Sequence, residues 1–547
     1  MAPPEPAHTP RTVPDSATVQ DVRNLADLVR RAADRDGGQR TALIWHDQRL
    51  TWAELDGQVD AVAAALRGLV DADPTSPPAQ DADPAPQVPA RVAIALPNVP
   101  EFAAAYFGAL RAGLVAVPVN PGYTARELRH ILDDSGPTIL IAAPAVLDAL
   151  GADAPRLRYV LGAGSGDRRS FSELLAFPAA PVQPRTGGED LAVLLYTSGT
   201  SGAPKGSMLS HRALLANHLQ LDELDPPPLG PDDVVLLTLP LFHSYGLNSG
   251  LGAVAHHGAC GVLIERFDPA DTLDQIVRHQ VTAVVAVPPM YVAWSLLGEQ
   301  LTRGFAGVRV AVSGAAPLDP ATARRFTALA GLGVHEGYGL TETAPVLTTT
   351  LRQPVPKVGS IGKALPRVEL KLVDAAGEEV SMEAGFDDDA ADSPGTDPGQ
   401  IIARGPNLFS GYWPDGRGGP DANGWWPTGD VAYADADGDL FLVDRLGELI
   451  IVNGFNVYPS EVELVLRAHP EVADAAAVGV AHPSSGRTVK AYVVRAADAS
   501  VTAEELLAYC ERHLARFKCP TAVEFVPQLP KSTTGKVRKS ELERIYG

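Results

Sequence analysis

The stretch Y-T-S-G-T-S-G-A-P-K-G, from Tyr196 to Gly206, packs three glycines, four hydroxyl residues and one lysine into a single turn-forming loop. Glycine lets a backbone fold tightly enough to aim several N–H groups at anionic oxygens. Thr197, Ser198, Thr200 and Ser201 add neutral donors, and Lys205 supplies a point charge. The apolar run Leu191 to Tyr196 just before it reads as a buried strand, so the loop sits where a strand ends, which is where α/β folds bind ligands. A flexible Ser/Gly linker would not follow such a strand. A Walker loop is excluded, because Lys205 is followed by Gly206 and Ser207 and has no glycine directly before it.

Working outward, 547 residues exceed what one core can organise, so two or more lobes are expected. There is no run of eighteen apolar residues for a membrane span, and the start M-A-P-P-E-P-A-H-T-P has neither a basic region nor an apolar one. A formal charge of -21, from 45 basic and 66 acidic residues, argues against nucleic acid or an anionic membrane as a partner. Any bound anion is therefore held by local chemistry. Cys260, Cys510 and Cys519 are too few and too scattered for a disulfide framework or a C-x-x-C metal site, so ordinary packing and a cytoplasmic location are expected.

Three segments are too poor in apolar residues to order themselves: residues 1–20, Asp71 to Pro86, and Phe386 to Pro398. Elsewhere strand-like runs alternate with amphipathic helices: Arg91 to Leu96, Val99 to Ala112, Leu114 to Pro118, Arg126 to Asp133, Thr138 to Ala142. This alternation predicts mostly parallel sheets covered by helices. Val281 to Pro288 and Val308 to Ser313 repeat it. From Val358 to Asp444 the texture changes to short strands rich in glycine. A final unit of roughly a hundred residues reads strand, helix, strand, strand, helix, strand.

Further constellations follow other strands. V-H-E-G-Y-G-L-T-E-T, Val334 to Thr343, flanks an aromatic ring with glycines and follows it with a threonine and a carboxylate. A purine needs such a flat face, and a magnesium-bound polyphosphate needs such an oxygen ligand. S-G-A-A-P-L, Ser313 to Leu318, leaves room for a planar base beside the backbone. W-P-T-G-D, Trp426 to Asp430, followed by Val443-Asp444-Arg445, offers a carboxylate and a guanidinium to sugar hydroxyls. P-K-S-T-T-G-K-V-R-K, Pro530 to Lys539, puts Lys536 directly after a glycine, and His243 lies in P-L-F-H-S-Y-G-L.

These motifs, in this order, resemble those of the adenylate-forming superfamily of acyl-CoA synthetases, peptide-synthetase adenylation domains and luciferases. The resemblance runs from about Thr41 to Ser540. It implies an α/β fold. A large N-terminal domain of stacked, mostly parallel sheets (21–443) carries a small β-barrel-like subdomain, and a hinge (444–447) joins it to a small mobile α+β C-terminal domain (448–547). It also implies a phosphate loop at Thr197, Ser198, Gly199, Thr200, Ser201, Gly202 and Lys205. The adenine slot falls at Gly314, Ala315, Ala316, Gly337, Tyr338 and Gly339. Thr341 would meet the α-phosphate and Glu342 would help hold Mg²⁺. Asp430 and Arg445 would hold the ribose, with Asn456 near the nucleotide. Lys536 would bridge the carboxylate and the α-phosphate. His243 belongs to an aromatic-histidine pair that guards the carboxylate and shifts when thiol enters.

The implied reaction joins a carboxylic acid to CoA with Mg²⁺ and ATP, through an acyl-AMP and with release of pyrophosphate. The C-terminal domain turns between the two steps, carrying Lys536 away. Two positions depart from the family pattern. Gly447 stands where Asp or Lys is usual at the hinge, and Ile451 stands where some aryl-CoA ligases carry a lysine, which favours the fatty-acyl branch. The acyl pocket falls at Ser244, Tyr245, Ser249, Gly337 and Val346, with no Asp or Lys to capture an amino group. A medium or long fatty acid is expected, with an aryl acid or a carrier-protein acceptor as alternatives. The chain is expected to be a monomer or homodimer, and acetylation of Lys536 would erase the charge the first step needs.

Overall fold

The computed structural model describes residues 23–72, 89–151, 154–155, 157–162, 164, 168–178, 180–197, 204–374, 376–382, 395–445, 450–452, 455–482, 486–531 and 536–546. The expected unstructured segments at 1–20, 71–86 and 386–398 lie outside them, apart from Asp71 and Ala72, at the end of helix Trp52–Asp71, and 395–398, where the Thr396 amide donates to the Ala434 carbonyl at 2.8 Å; Ser198 to Gly202 and Gly447 also lie outside them.

Two helix-covered sheets form the body of the protein. In the seven-stranded sheet the order is 169–170, 157–160, 139–142, 91–95, 115–118, 191–197, 205–210. Every pair is parallel except the last, a hairpin whose turn carries the glycine-rich loop. The nine-stranded sheet runs 363–364, 346–349, 334–339, 310–313, 283–286, 234–237, 260–263, 41–45, 48–51. It is parallel through its six central strands and antiparallel at both edges. The strands read as near-continuous apolar runs because helices cover both faces. Helix Pro100–Ala112 is buried from Phe102 to Ala112 and sits inside the principal core; its one charged residue there, Arg111, is paired with Asp56 at 2.7 Å and Asp60 at 3.0 Å.

The glycine-rich texture after Val358 becomes a five-stranded antiparallel sheet, ordered 379–380, 369–373, 399–404, 426–434, 440–445. Beyond it the chain forms a separate core around Ile450, Val457, Val462, Leu466, Ala491 and Leu506. Its sheet runs 455–457, 450–452, 486–495, 472–482, with 522–525 pairing in parallel alongside 486–495. Helices Pro459–Arg467, Ala503–His513 and Lys539–Tyr546 pack with it. The last of these begins where P-K-S-T-T-G-K-V-R-K ends and was not among the elements expected from the sequence.

Four motif-bearing loops leave the carboxyl ends of sheet strands: 191–197, 234–237, 310–313 and 334–339. Open parallel sheets bind ligands at that edge.

Candidate active site

One cavity of about 970 Å³ joins these strand ends to the C-terminal domain. Its wall carries Thr197 and Lys205 from the paired strands 191–197 and 205–210 and His243, Ser244, Tyr245 and Ser249 from the loop after 234–237 and the helix that follows. Gly314, Ala315, Gly337, Tyr338, Gly339, Thr341, Glu342 and Val346 complete the N-terminal side. From the C-terminal domain come Arg487, Lys536 and Arg538. The cavity therefore gathers residues from motifs more than 300 positions apart in sequence. Ala316 lies next to this wall in the chain but does not line it. Lys531, the first lysine of P-K-S-T-T-G-K-V-R-K, pairs with Asp474 at 2.7 Å.

The slot expected for a base is held by steric fit. A Cβ on Gly314 would stand 2.9 Å from the ring of Tyr245, and one on Gly339 would stand 1.7 Å from the carbonyl oxygen of Pro345, so neither position admits a side chain. Ala315 adopts φ +67°, a left-handed conformation costing a non-glycine residue about 1 kcal/mol, of the kind that concentrates at ligand clamps. Glu336, one strand residue before Gly337, is buried and accepts a hydrogen bond from the Leu318 amide at 3.1 Å. It thus ties the loop after 310–313 to the strand carrying Tyr338. Burial pushes its carboxyl up to about 7.

Tyr338 donates its hydroxyl to Asp430 Oδ2 at 2.7 Å, which connects the aromatic motif to W-P-T-G-D across 92 residues. Asp430 is buried, and Thr428 lines the cavity beside it. Arg445 is the strand partner of Asp430, and Asn456 lies on the strand Phe455–Val457.

Glu342 is buried in a short 3-10 turn, Thr341–Thr343, and accepts a hydrogen bond from the hydroxyl of Tyr412 at 2.7 Å. Ser244 Oγ and Thr341 Oγ1 are 3.3 Å apart. Neither Tyr412 nor Glu336 was singled out from the sequence. Both act through partners distant in the chain, and the only local cue was the aromatic-glycine cluster G-Y-W around Tyr412.

His243 is half-buried against the cavity. Its Nδ1 accepts the Tyr245 amide at 3.3 Å, and desolvation by the surrounding protein pushes its imidazole down to about 4. A neutral ring with its proton on Nε2 follows at neutral pH. Tyr245 to Gly252 then form a π-helix that continues as the α-helix Ala253–His257. π-Helical turns recur at functional sites because they re-aim side chains, and here Tyr245, Ser249, Ala253 and His257 all line the cavity at four-residue intervals. Facing them are Leu221, Pro228 and Leu229, with Ala283, Val285, Val310 and Val312 from one face of two adjacent strands. This deep arm is mainly apolar. It ends at His218 and His257, whose imidazoles burial holds well below the usual range, His257 at about 3.

Among the described residues, no helix is long and apolar enough to cross a membrane.

Two family models match the chain: the AMP-binding enzyme over residues 29–413 and the AMP-binding enzyme C-terminal domain over 461–536. The long-chain-fatty-acid–CoA ligase of Escherichia coli O157:H7 is 34% identical, over 97% of this chain and 96% of that relative. A feruloyl-CoA synthase from Amycolatopsis sp is also 34% identical, over 95% and 98%. The crystal structure of ATP-bound MatB from Rhodopseudomonas palustris superposes with a TM-score of 0.82 at 32% identity, covering 96% of this chain and 99% of that one. Apo MatB, with the same coverage, gives 0.72, so the arrangement here is more like the ATP-bound form. The chain belongs to the AMP-binding enzyme family. Within it, the protein is an AMP-forming acid–thiol ligase, which activates a carboxylic acid as its adenylate and uses ATP and CoA as substrates.

Proposed function

We propose that the acid is a medium or long-chain fatty acid and that the product is its CoA thioester. The deep apolar arm carries this reading. From Ser249 to His257 the helix runs about 12 Å at the usual rise, well beyond what a carboxylate and its first carbons occupy. Neutral histidines at its end put no charge against a hydrocarbon tail. The likeness to a long-chain-fatty-acid–CoA ligase supports the same class. An aryl acid, suggested by the feruloyl-CoA synthase likeness, would leave much of the arm empty.

In the first step the carboxylate attacks the α-phosphorus of ATP in line and pyrophosphate leaves. Thr197, the glycine-rich loop at 198–202 and Lys205 hold the phosphates, Tyr338 stacks on adenine, and Asp430 with Arg445 binds the ribose. Gly314 and Ala315, with Ala316 behind them, shape the slot, and Asn456 lies at its edge. Thr341 contacts the α-phosphate. Lys536 neutralises charge as the carboxylate and phosphate are brought together, so most of the rate comes from positioning and electrostatics.

Glu342 fits a magnesium site in chemistry: a hard oxygen ligand, buried, facing the same cavity as Thr341 and Lys205. Mg²⁺ held there would offset charge on the departing phosphates. In the second step the C-terminal domain turns about the hinge at Gly447, Lys536 withdraws and the thiol of CoA displaces AMP. Neutral His243, with Tyr245 beside it, guards the carboxylate end of the acyl arm. Ser244, Ser249, Gly337 and Val346 line the start of that arm.

The test is product analysis with purified protein, Mg²⁺, ATP and a panel of C2 to C18 fatty acids and aryl acids, each with and without CoA. AMP and acyl-CoA forming together on C8 or longer acids is the expected result. Preference for aryl acids, or acyl-AMP that never passes to CoA, would overturn it.

A further inference from the structure

The segment after residue 408 lies between two parts of the site that the chain separates by more than a hundred residues. Its backbone is stitched to both. The Phe409 amide donates to the Glu342 carbonyl at 2.9 Å. The Ser410 amide donates to the Met208 carbonyl at 2.9 Å, the Met208 amide donates to the Gly411 carbonyl at 3.0 Å, and the Trp413 amide donates to the Gly206 carbonyl at 2.8 Å. The segment thus extends the hairpin that begins at Lys205, and Tyr412 is bridged directly to Ser207. Phe409 packs edge-on against the Tyr412 ring at 5.1 Å, which restricts its rotamer.

From that fixed position Tyr412 reaches both charged groups. Its hydroxyl donates to Glu342 Oε1 at 2.7 Å, and the Lys205 ammonium stands 5.3 Å from its ring centroid. A hydrogen bond to a buried carboxylate orients one oxygen and leaves the other to face the cavity. An aromatic face attracts an exposed ammonium without neutralising it, so Lys205 keeps its charge for a phosphate. We propose that Tyr412 is a positioning residue for the metal–polyphosphate end of the site, holding Glu342 and Lys205 in register with each other. The proposal rests on the reading of Glu342 as the magnesium carboxylate.

The experiment is calorimetry of ATP binding with and without Mg²⁺, beside AMP binding, for wild type, Tyr412→Phe, Tyr412→Leu and Glu342→Gln. Tyr412→Phe keeps the ring and loses only the hydroxyl. It should cut the gain in ATP affinity that Mg²⁺ confers by roughly tenfold, the scale of one hydrogen bond to a charged group, while AMP affinity changes less than about twofold. Tyr412→Leu should in addition weaken ATP binding without Mg²⁺, since Lys205 loses its platform. An unchanged magnesium effect in Tyr412→Phe, with Glu342→Gln losing it, would overturn the role of Tyr412 alone. If Glu342→Gln also keeps the full effect, the reading of Glu342 fails and the proposal with it. An equal loss of AMP affinity in Tyr412→Phe would show general damage to the site and overturn the proposal as well.

Discussion

Replacing Glu336 by Gln should make the protein more stable at pH 8 and nearly unchanged at pH 5. Glu336 is buried where desolvation disfavours its charge, and its carboxyl is raised from 4.5 to about 7. A raised folded-state value means the native protein holds this proton more tightly than the unfolded chain. Its contribution is fully present below pH 4.5 and is lost as pH rises through about 7. At about 1.36 kcal/mol per unit, the full loss is about 3 kcal/mol, most of it between pH 5 and pH 8. Gln is neutral throughout and can still accept the Leu318 amide, so the variant removes the titration and keeps the tie. The assay is the denaturant midpoint of both proteins at pH 5, 6, 7 and 8. The gap between variant and wild type should grow with pH and level off above 8. A constant gap would refute the reasoning, because it would mean that Glu336 does not exchange its proton in this range.

Two further outcomes follow from the same geometry. Ala253→Phe, placed midway along the deep arm, should leave octanoate turnover within about threefold. It should lower kcat/KM for palmitate by roughly fourfold for every methylene excluded, at about 0.8 kcal/mol each; equal loss on both acids would contradict the path assigned to the chain. Burial depresses His211 and His243 to about 4 and His256 and His257 to about 3, from 6.5. The stability they contribute is present above pH 6.5 and lost as pH falls through those values. The unfolding midpoint should therefore drop steeply below pH 6, against the opposite trend from Glu336, and a flat midpoint from pH 7 to pH 4.5 would contradict their neutral burial.

Much of this architecture was legible because it rests on local signals. A buried strand followed by a glycine-rich loop, repeated after other strands, marks the ligand edge of a parallel sheet, and four motif-bearing loops do leave strand ends there, whereas W-P-T-G-D lies within the antiparallel strand Trp426–Ala434. The strand-helix alternation between Arg91 and Ala142 survives in the structure with boundaries shifted by at most two residues. What escaped was pairwise. The bond from Tyr412 to Glu342 spans 70 residues, and nothing in G-Y-W signals its target. Glu336 reads as one more polar residue on a strand until the Leu318 loop folds over it. The π-helix at Tyr245–Gly252 has no periodicity distinct from a glycine-rich α-helix, so the four-residue spacing of the cavity-facing side chains was invisible. The depth of the apolar arm was equally hidden, since its wall combines one helix face with alternate residues of two strands brought together only by sheet order.

The central claim is that Lys536, brought to the cavity by the C-terminal domain, serves the first step alone. The most direct measurement is the two half-reactions of Lys536→Ala: acid-dependent exchange of pyrophosphate into ATP, and conversion of supplied acyl-AMP and CoA to acyl-CoA. The account predicts that the first falls by about 10²–10³ or more, the scale of removing one electrostatic stabiliser, while the second stays within a few fold of wild type. Loss of both half-reactions, or of neither, would contradict it.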